Sequence, residues 1–273
     1  MTKLAVLIPT HTLNLNDNEK KSLNKIVENY NREHIYFVLP EKIKKIKKPH
    51  NLNSVYFEDY FFSNHRNYNK LLLSKKFFEK FLNYERIFIY QLDCYLIKGF
   101  SELDKFLKYD YVGSPHINKK KKQFNGMLNG GLSIRAVKSS IDVLNSSNLN
   151  LSIFNLLSLL RYFRGLNRLK HFLNFITKTF YIFLKHLLFS KHKSNYSNLL
   201  LENFSNYFNE DIFWSLFSVM YKKNFNVAEP KIAIDFGFDK DPEELFLINN
   251  KRLPFACHNC WNKENNNFWK NYI

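Results

Sequence analysis

Glycine and proline are scarce in this sequence, 7 of each among 273 residues. With so little glycine there is no phosphate loop of the P-loop or dinucleotide type, which argues against kinases and dehydrogenases. Nor is there a Gly/Ser-rich linker or an internal repeat to divide the chain. Cysteine is limited to Cys94, Cys257 and Cys260. That number is odd, and the N-terminus enters an apolar strand instead of a secretory signal, so the expected setting is reduced and cytoplasmic. No apolar run reaches the roughly 18 residues of a membrane span. The best candidate, residues 150–160, runs into Arg161 and Arg164. The expectation is a chain that does not cross a bilayer but can lie at its inner face. Acids are also short: 24 Asp and Glu stand against 41 Lys and Arg, a net charge of +17.

Such an excess favours anionic partners, whether nucleic acid, acidic lipid headgroups or a nucleotide diphosphate, and charge alone does not choose among them. Part of it sits in lysine runs at 41–48 (EKIKKIKK) and 119–122, a pattern usual for solvated faces, and part reads as a genome-wide bias toward Lys, Asn, Ile and Phe. What is present in quantity is apolar: 45% of the residues, enough for one sizeable core.

Along the chain, residues 3–8 (KLAVLI), 34–39 (HIYFVL) and 86–90 (RIFIY) are short apolar runs with the look of buried strands, the first two closed by Pro9 and Pro40. Residues 53–57 suggest a further strand. Helical spacing appears at 17–30, with Leu23, Ile26, Val27 and Tyr30 on one face and Asp17 or Asn18 as cap, and at 69–82, with Leu72, Leu73, Phe77 and Phe81. A short helix is expected around 103–107, strands at 109–113 and 128–135, a helix at 211–221, and one or two edge strands within 225–238. This alternation predicts an α/β domain with a mostly parallel central sheet flanked by helices, whose ligands gather at the carboxyl ends of the strands. Residues 151–193 carry no Asp or Glu and suggest two basic helices joined near Gly165. They form core or subdomain helices, or an amphipathic face for an anionic membrane.

Four constellations could carry chemistry. Asp93, at the end of the 86–90 strand, is either a loop acid or an oxygen ligand for a hard divalent ion bridging phosphates. Asn129-Gly130-Gly131 is a tight turn, or a place where the backbone takes positive φ and approaches a ligand closely. In Asn209-Glu210-Asp211 the acids cap a helix, or one of them serves as a general base. Cys257-His258-Asn259-Cys260 has the spacing of half a zinc site, but without a second pair it falls short of the four ligands a structural zinc needs. His258 is carried as a site residue.

At these residues a resemblance emerges. The blocks Tyr68-Asn69-Lys70-Leu71-Leu72-Leu73-Ser74, Phe77-Phe78, Tyr84, Ile89-Tyr90-Gln91-Leu92-Asp93, Tyr109-Asp110-Tyr111-Val112-Gly113-Ser114-Pro115, Asn129-Gly130-Gly131-Leu132-Ser133-Ile134-Arg135, Asn209-Glu210-Asp211-Ile212-Phe213-Trp214 and Leu253-Pro254-Phe255-Ala256-Cys257-His258 occur in the order found in a bacterial family regarded as glycosyltransferases of unassigned specificity. That family resembles GT-A enzymes of the nucleotide-diphospho-sugar transferase superfamily. The likeness spans the chain apart from roughly 145–202, which reads as a helical insertion in a single GT-A-like domain over 1–273.

The resemblance implies a nucleotide-diphosphate sugar donor and a divalent cation, Mn or Mg. Asp93 would be the last acid of the metal motif, with Gln91 where many GT-A enzymes carry the first, and His258 a further metal ligand. Thr10 and His11 would border the nucleotide, Asn129 to Gly131 would line the donor sugar, Asn69 would be a further nucleotide-sugar-binding residue, and Asp211 or Glu210 would be the base. Ala256, in place of an expected glycine, and the Cys260-Trp261 spacing depart from the family pattern. The expected reaction is hexosyl transfer to a hydroxyl of a surface glycan or lipid-linked acceptor in polysaccharide biosynthesis, with residues 150–193 at the membrane surface and no nucleic-acid partner. Two alternatives remain: a non-catalytic nucleic-acid-binding protein using the charge and the 28 Phe and 16 Tyr, and a degenerate transferase acting as a membrane-surface partner in glycan assembly.

Overall fold

A computed structural model describes residues 4–118, 122–145, 168–189 and 201–273. The apolar runs seen in the sequence form the centre of a six-stranded sheet. Its strands are β1 (Leu4–Pro9), β2 (Ile35–Pro40), β3 (Asn53–Phe57), β4 (Arg86–Tyr90), β6 (Tyr111–Asn118) and β7 (Gln123–Ala136), in the order β3-β2-β1-β4-β7-β6. The first four are parallel neighbours, whereas β7 runs antiparallel to both β4 and β6. The sheet is therefore mixed, with a parallel half and an antiparallel edge. Two-sided burial explains why β1 and β4 are apolar almost throughout.

Helix α1 (Asp17–Asn29) buries Leu23, Ile26 and Val27. Its cap is Asn16, not Asp17 or Asn18: the Asn16 side chain accepts from Glu19 N at 3.0 Å while Asn16 N donates to Glu19 Oε2 at 2.8 Å, a capping box. The single helix expected over 69–82 is two, α2 (His65–Leu72) and α3 (Lys75–Glu79). Ser74 adopts extended backbone and its side chain accepts from Phe77 N, so a new N-cap interrupts an otherwise continuous apolar face. The short helix near 103–107 is a 3-10 segment, Phe100–Phe106.

β7 leads into α4 (Val137–Asn145), and α5 (Arg168–Phe189) is the described part of the basic segment. The junction near Gly165 and the rest of 146–167 and 190–200 lie outside the described residues. α6 (Glu210–Ile212) runs on through a π-helical turn, Phe213–Phe217, into α7 (Ser218–Tyr221). Residues 225–238 differ most from expectation. Val227 makes one parallel bridge to Tyr111, but Pro230 then starts helix α8 (Pro230–Phe236), because proline at a first helical turn presets φ and gives up no needed donor. An apolar run this short does not tell helix from strand by itself.

Behind α8, β8 (Gly237–Phe238) joins a second sheet of order β5-β9-β8, with β5 (Tyr95–Leu96) and β9 (Ala256–Cys257). α9 (Pro242–Ile248) and α10 (Lys263–Trp269) pack beside it. Phe88 of β4 touches Phe100, Phe236 and Phe255, with ring centroids 6.2, 6.1 and 6.1 Å away. Aromatic packing thus fastens the C-terminal third to the main sheet.

Candidate functional site

Everything with chemical potential collects where the parallel strands end. The turn after β4 closes with Cys94 N donating to Gln91 O at 2.9 Å. It is pinned from behind by Ser22 of α1 and Tyr90, whose hydroxyls donate to the Cys94 carbonyl at 2.6 and 3.1 Å. The small sheet supplies the rest by register. β8 and β9 pair in parallel, Gly237 with Ala256 and Phe238 with Cys257, so Asp239 and His258 emerge side by side. β9 pairs antiparallel with β5, Tyr95 with Cys257, which brings Asp93 and Cys94 to the same end.

Asp239 is the hub of this end. Its carboxylate is fully buried, yet it receives His258 Nδ1 and Asn259 Nδ2 on one oxygen, both at 2.8 Å, and His116 Nε2 and Asn129 Nδ2 on the other, at 3.1 and 3.2 Å. Burial opposes its ionisation, but the hydrogen bond from His116 and the charge of His258 outweigh it and hold the carboxyl well below the usual carboxylate range. A buried acid this well satisfied acts as an orienting group. With Nδ1 of His258 fixed on Asp239, Nε2 turns to Gln91 Oε1 at 3.1 Å and Asp93 Oδ1 at 3.4 Å. Burial lowers the His258 pKa, and Asp93 and Asp239 together raise it further than burial lowers it.

Asn129-Gly130-Gly131 forms the opposite wall. In the β6–β7 pair, Gly113 faces Ser133 and Pro115 faces Leu128, so four residues, Asn129 to Leu132, stand opposite Ser114 alone. Asn129 Oδ1 accepts from Gly131 N at 2.7 Å and Leu132 N at 3.1 Å, holding the bulge. Among the described glycines, positive φ occurs only at Gly126, so the two adjacent glycines serve close approach instead of the positive φ the sequence allowed. A Cβ on Gly131 would come within 2.3 Å of Gln91 Oε1 and 2.5 Å of His258 Nε2. One on Gly130 would strike Glu210 Oε1.

Glu210 and Asp211 have separate surroundings. Glu210 is gripped by Arg135, whose Nη1 and Nη2 donate to the two carboxylate oxygens at 2.8 and 2.9 Å, with both side chains buried. Asp211 has no such cation: burial, and secondarily the charge of Glu210, push its carboxyl up to about 7. It lines a cleft of about 940 Å³ together with His116, Asn129, Asn209, Asp239 and Asn259, and with His171 of α5. Glu210, locked as the partner of Arg135, is not available as a base. Asp211 is.

The profile of DUF5672, described as a protein of unknown function, matches residues 51–258 of this chain. The chain belongs to that family. The matched stretch holds every group described above in this DUF5672 site except Ser22 and Asn259, and Thr10 and His11 also lie outside it. No curated protein matches the sequence. Among solved structures, the apo-form glycosyltransferase GlyE of Streptococcus pneumoniae TIGR4 aligns over 99% of this chain and 60% of that one, with TM-score 0.40 and 11% identity. The chain thus spans less than two thirds of that structure.

Within the DUF5672 chain, the structure brings Gln91, Asp93, Asn129, Gly130, Gly131 and His258 together and sets Asp211 on the adjoining cleft. Thr10 and His11 follow β1 on the same sheet edge, since Leu7 pairs with Ile89 two residues before Gln91. No hydrogen bond among the described residues joins them to the cluster. Asn69 is buried, and its amide serves the start of α6, accepting from Glu210 N at 3.4 Å and donating to Asn209 at 3.5 Å. Sequence reasoning missed Asp239, His116 and Arg135. Arg135 ended a recognised block, but nothing in the spacing of Asp239 marked it before β8 and β9 were paired.

Whether a divalent ion fits is decided by the donor set. Asp93 Oδ1 is buried and makes no hydrogen bond; its near neighbour is His258 Nε2 at 3.4 Å. Asp93, Cys94 and His258 each offer a donor atom within 4.8 Å of the others. Burial keeps the Cys94 thiol protonated, and its Sγ contacts Gly131 O, so it is a poor ligand. Asp93 and an imidazole already oriented by a carboxylate would be the two protein donors left for a divalent ion, whose remaining positions would stay open. Cys257 and Cys260 are buried and free, their sulfurs directed at the backbone carbonyls of Tyr95 and Asp93.

Proposed function

We propose that this DUF5672 chain is a glycosyltransferase that moves a sugar from a nucleotide-diphosphate donor to a hydroxyl on a glycan or lipid-linked acceptor. The observation that carries the reading is the meeting of Asp93 and His258 beside the Gly130-Gly131 bulge, with Asp211 on the adjoining cleft that Asn129 and Asp239 also line. A diphosphate needs positive charge or a cation at one end and a close backbone wall at the other, and the acceptor hydroxyl needs a base. Order of motifs supports the same reading.

In this scheme Asp239 keeps His258 aimed, and Asp93 and His258 would hold the Mn or Mg ion. Such an ion, when bound, supplies the charge that neutralises a leaving diphosphate. The glycine bulge lets Glu210, Gln91 and His258 pack against the backbone, and the donor sugar would lie beside them. Asp211, with a pKa raised to about 7, is poised to take the acceptor proton in an in-line displacement. A single-strand binder would display its aromatic rings, whereas Phe57, Phe77, Phe78, Phe81, Phe88, Phe106 and Trp214 are interior.

A thermal-shift screen of nucleotide sugars, each with and without Mn or Mg, tests the proposal. At least one donor raises the melting temperature in a cation-dependent way, and Asp93→Ala abolishes that rise while melting normally by itself. A folded Asp93→Ala variant that keeps the full shift and full donor turnover would falsify the site.

A further inference from the structure

We propose that the outer face of α5 docks this protein on an anionic lipid surface, with the mouth of the cleft at that surface. α5 carries three stripes. The first packs inward: Phe172, Phe175, Thr179 and Ile182 are buried, Phe175 lies against Tyr207 and Phe208 with centroids 5.5 and 5.2 Å away, and Asn203 donates to Thr179 Oγ1 at 3.0 Å. One apolar face is thereby satisfied by the fold.

The second stripe is also apolar and faces outward. Leu169, Leu173, Leu184 and Leu188 follow helical spacing along one line and are 60%, 52%, 39% and 71% exposed, with Tyr181 at their flank 63% exposed. Beside it runs the third stripe, in which His171, Lys178 and Lys185 repeat every seven residues and Lys170 joins them; all are exposed. Arg168–Phe189 contains no acid, and among the described residues none of these lysines makes an ion pair.

A solvent-facing leucine stripe bordered by uncompensated lysines matches a bilayer interface: leucines enter the acyl boundary while lysines reach phosphate headgroups. A neutral partner would leave the lysine stripe unmatched. The helix does not itself cross the bilayer, as no described helix is long and apolar enough. His171 belongs to the lysine stripe and also lines the cleft beside Asp211, so the face that meets lipid adjoins a wall of the site. On the transferase reading, which this last step rests on, the acceptor reaches Asp211 from the lipid side. Docking itself does not depend on turnover.

Flotation of the whole chain with phosphatidylcholine vesicles, with and without phosphatidylglycerol, is the test. The protein floats with the anionic vesicles and is released by salt. The Leu173→Asp/Leu184→Asp variant floats about tenfold less, and Lys178→Glu/Lys185→Glu loses the preference for phosphatidylglycerol. Should the aspartate variant melt early, the charge-reversal variant on exposed positions carries the test. Equal flotation on both vesicle types, flotation on neither, or variants that float like the parent would overturn the proposal. A concentration-dependent dimer dissolved by Leu173→Asp would also overturn it, giving the face to a second copy. Loss of every nucleotide-sugar shift with anionic flotation intact sinks the transferase reading and leaves the docking, and the reverse result does the opposite.

Discussion

Two adjacent carboxylates, Glu210 and Asp211, read as equivalent in sequence and differ entirely in place. Glu210 has Arg135; Asp211 has burial and the charge of Glu210, relieved in part by His116 and, more weakly, by Arg135. On the proposed transferase reading the acid limb of the rate profile falls near pH 7, with activity rising as Asp211 loses its proton. Asp211→Asn removes both the limb and most of the rate, by about 10²–10⁴-fold for a lost general base. Transfer rates measured across pH 5–9 check this, and an unchanged limb in Asp211→Asn would assign it to another group. Stability follows the opposite sign. The folded protonated carboxyl favours folding below the ordinary carboxylate range, and that contribution is lost as pH rises through about 7. At this scale Asp93 and His258 were legible because each sits just past an apolar run, where a strand must end. Asp239 was not legible, since its meaning lies in a neighbour 19 positions on that only strand pairing supplies.

At the scale of elements, the Arg135–Glu210 pair ties β7 to α6, just ahead of the π-helical turn. Both charges are out of water, so removing one strands the other. Arg135→Met costs about 3–5 kcal/mol, while Arg135→Met with Glu210→Met recovers much of that loss, since an apolar pair leaves no buried charge. Urea unfolding of the single and double variants measures it; a cost under about 1 kcal/mol for the single change would mean that water reaches the pair. Elements with one strong periodic signal were readable: β1, β2, β4 and α1 lie within a residue or so of their expected bounds. The break at Leu73-Ser74 and the helix at Pro230–Phe236 were not, because local capping at Ser74 and Pro230 competes with an apolar pattern that is silent about where a helix stops.

For the molecule as a whole, a net charge of +17 repels itself most in the folded state, where the charges are closest. Raising NaCl from about 20 to about 200 mM shortens the Debye length from roughly 20 Å to about 7 Å, and the melting temperature rises. Differential scanning calorimetry decides; a fall with salt would mean that attractive pairs outweigh the net repulsion, although the ion pairs on this surface are mostly exposed.

By itself the sequence determined the strands of a parallel half-sheet, the strand end that carries Asp93, and the basic character of the segment containing α5, because all three follow from hydrophobic periodicity and charge, which are local. Only the tertiary structure decided that Asp239 aims His258, that Arg135 occupies Glu210 and leaves Asp211 without a paired cation, and that His171 of α5 stands at the cleft. Those facts depend on register between strands and on which carboxylate meets which cation in the interior, and neither is written in the spacing of residues along the chain.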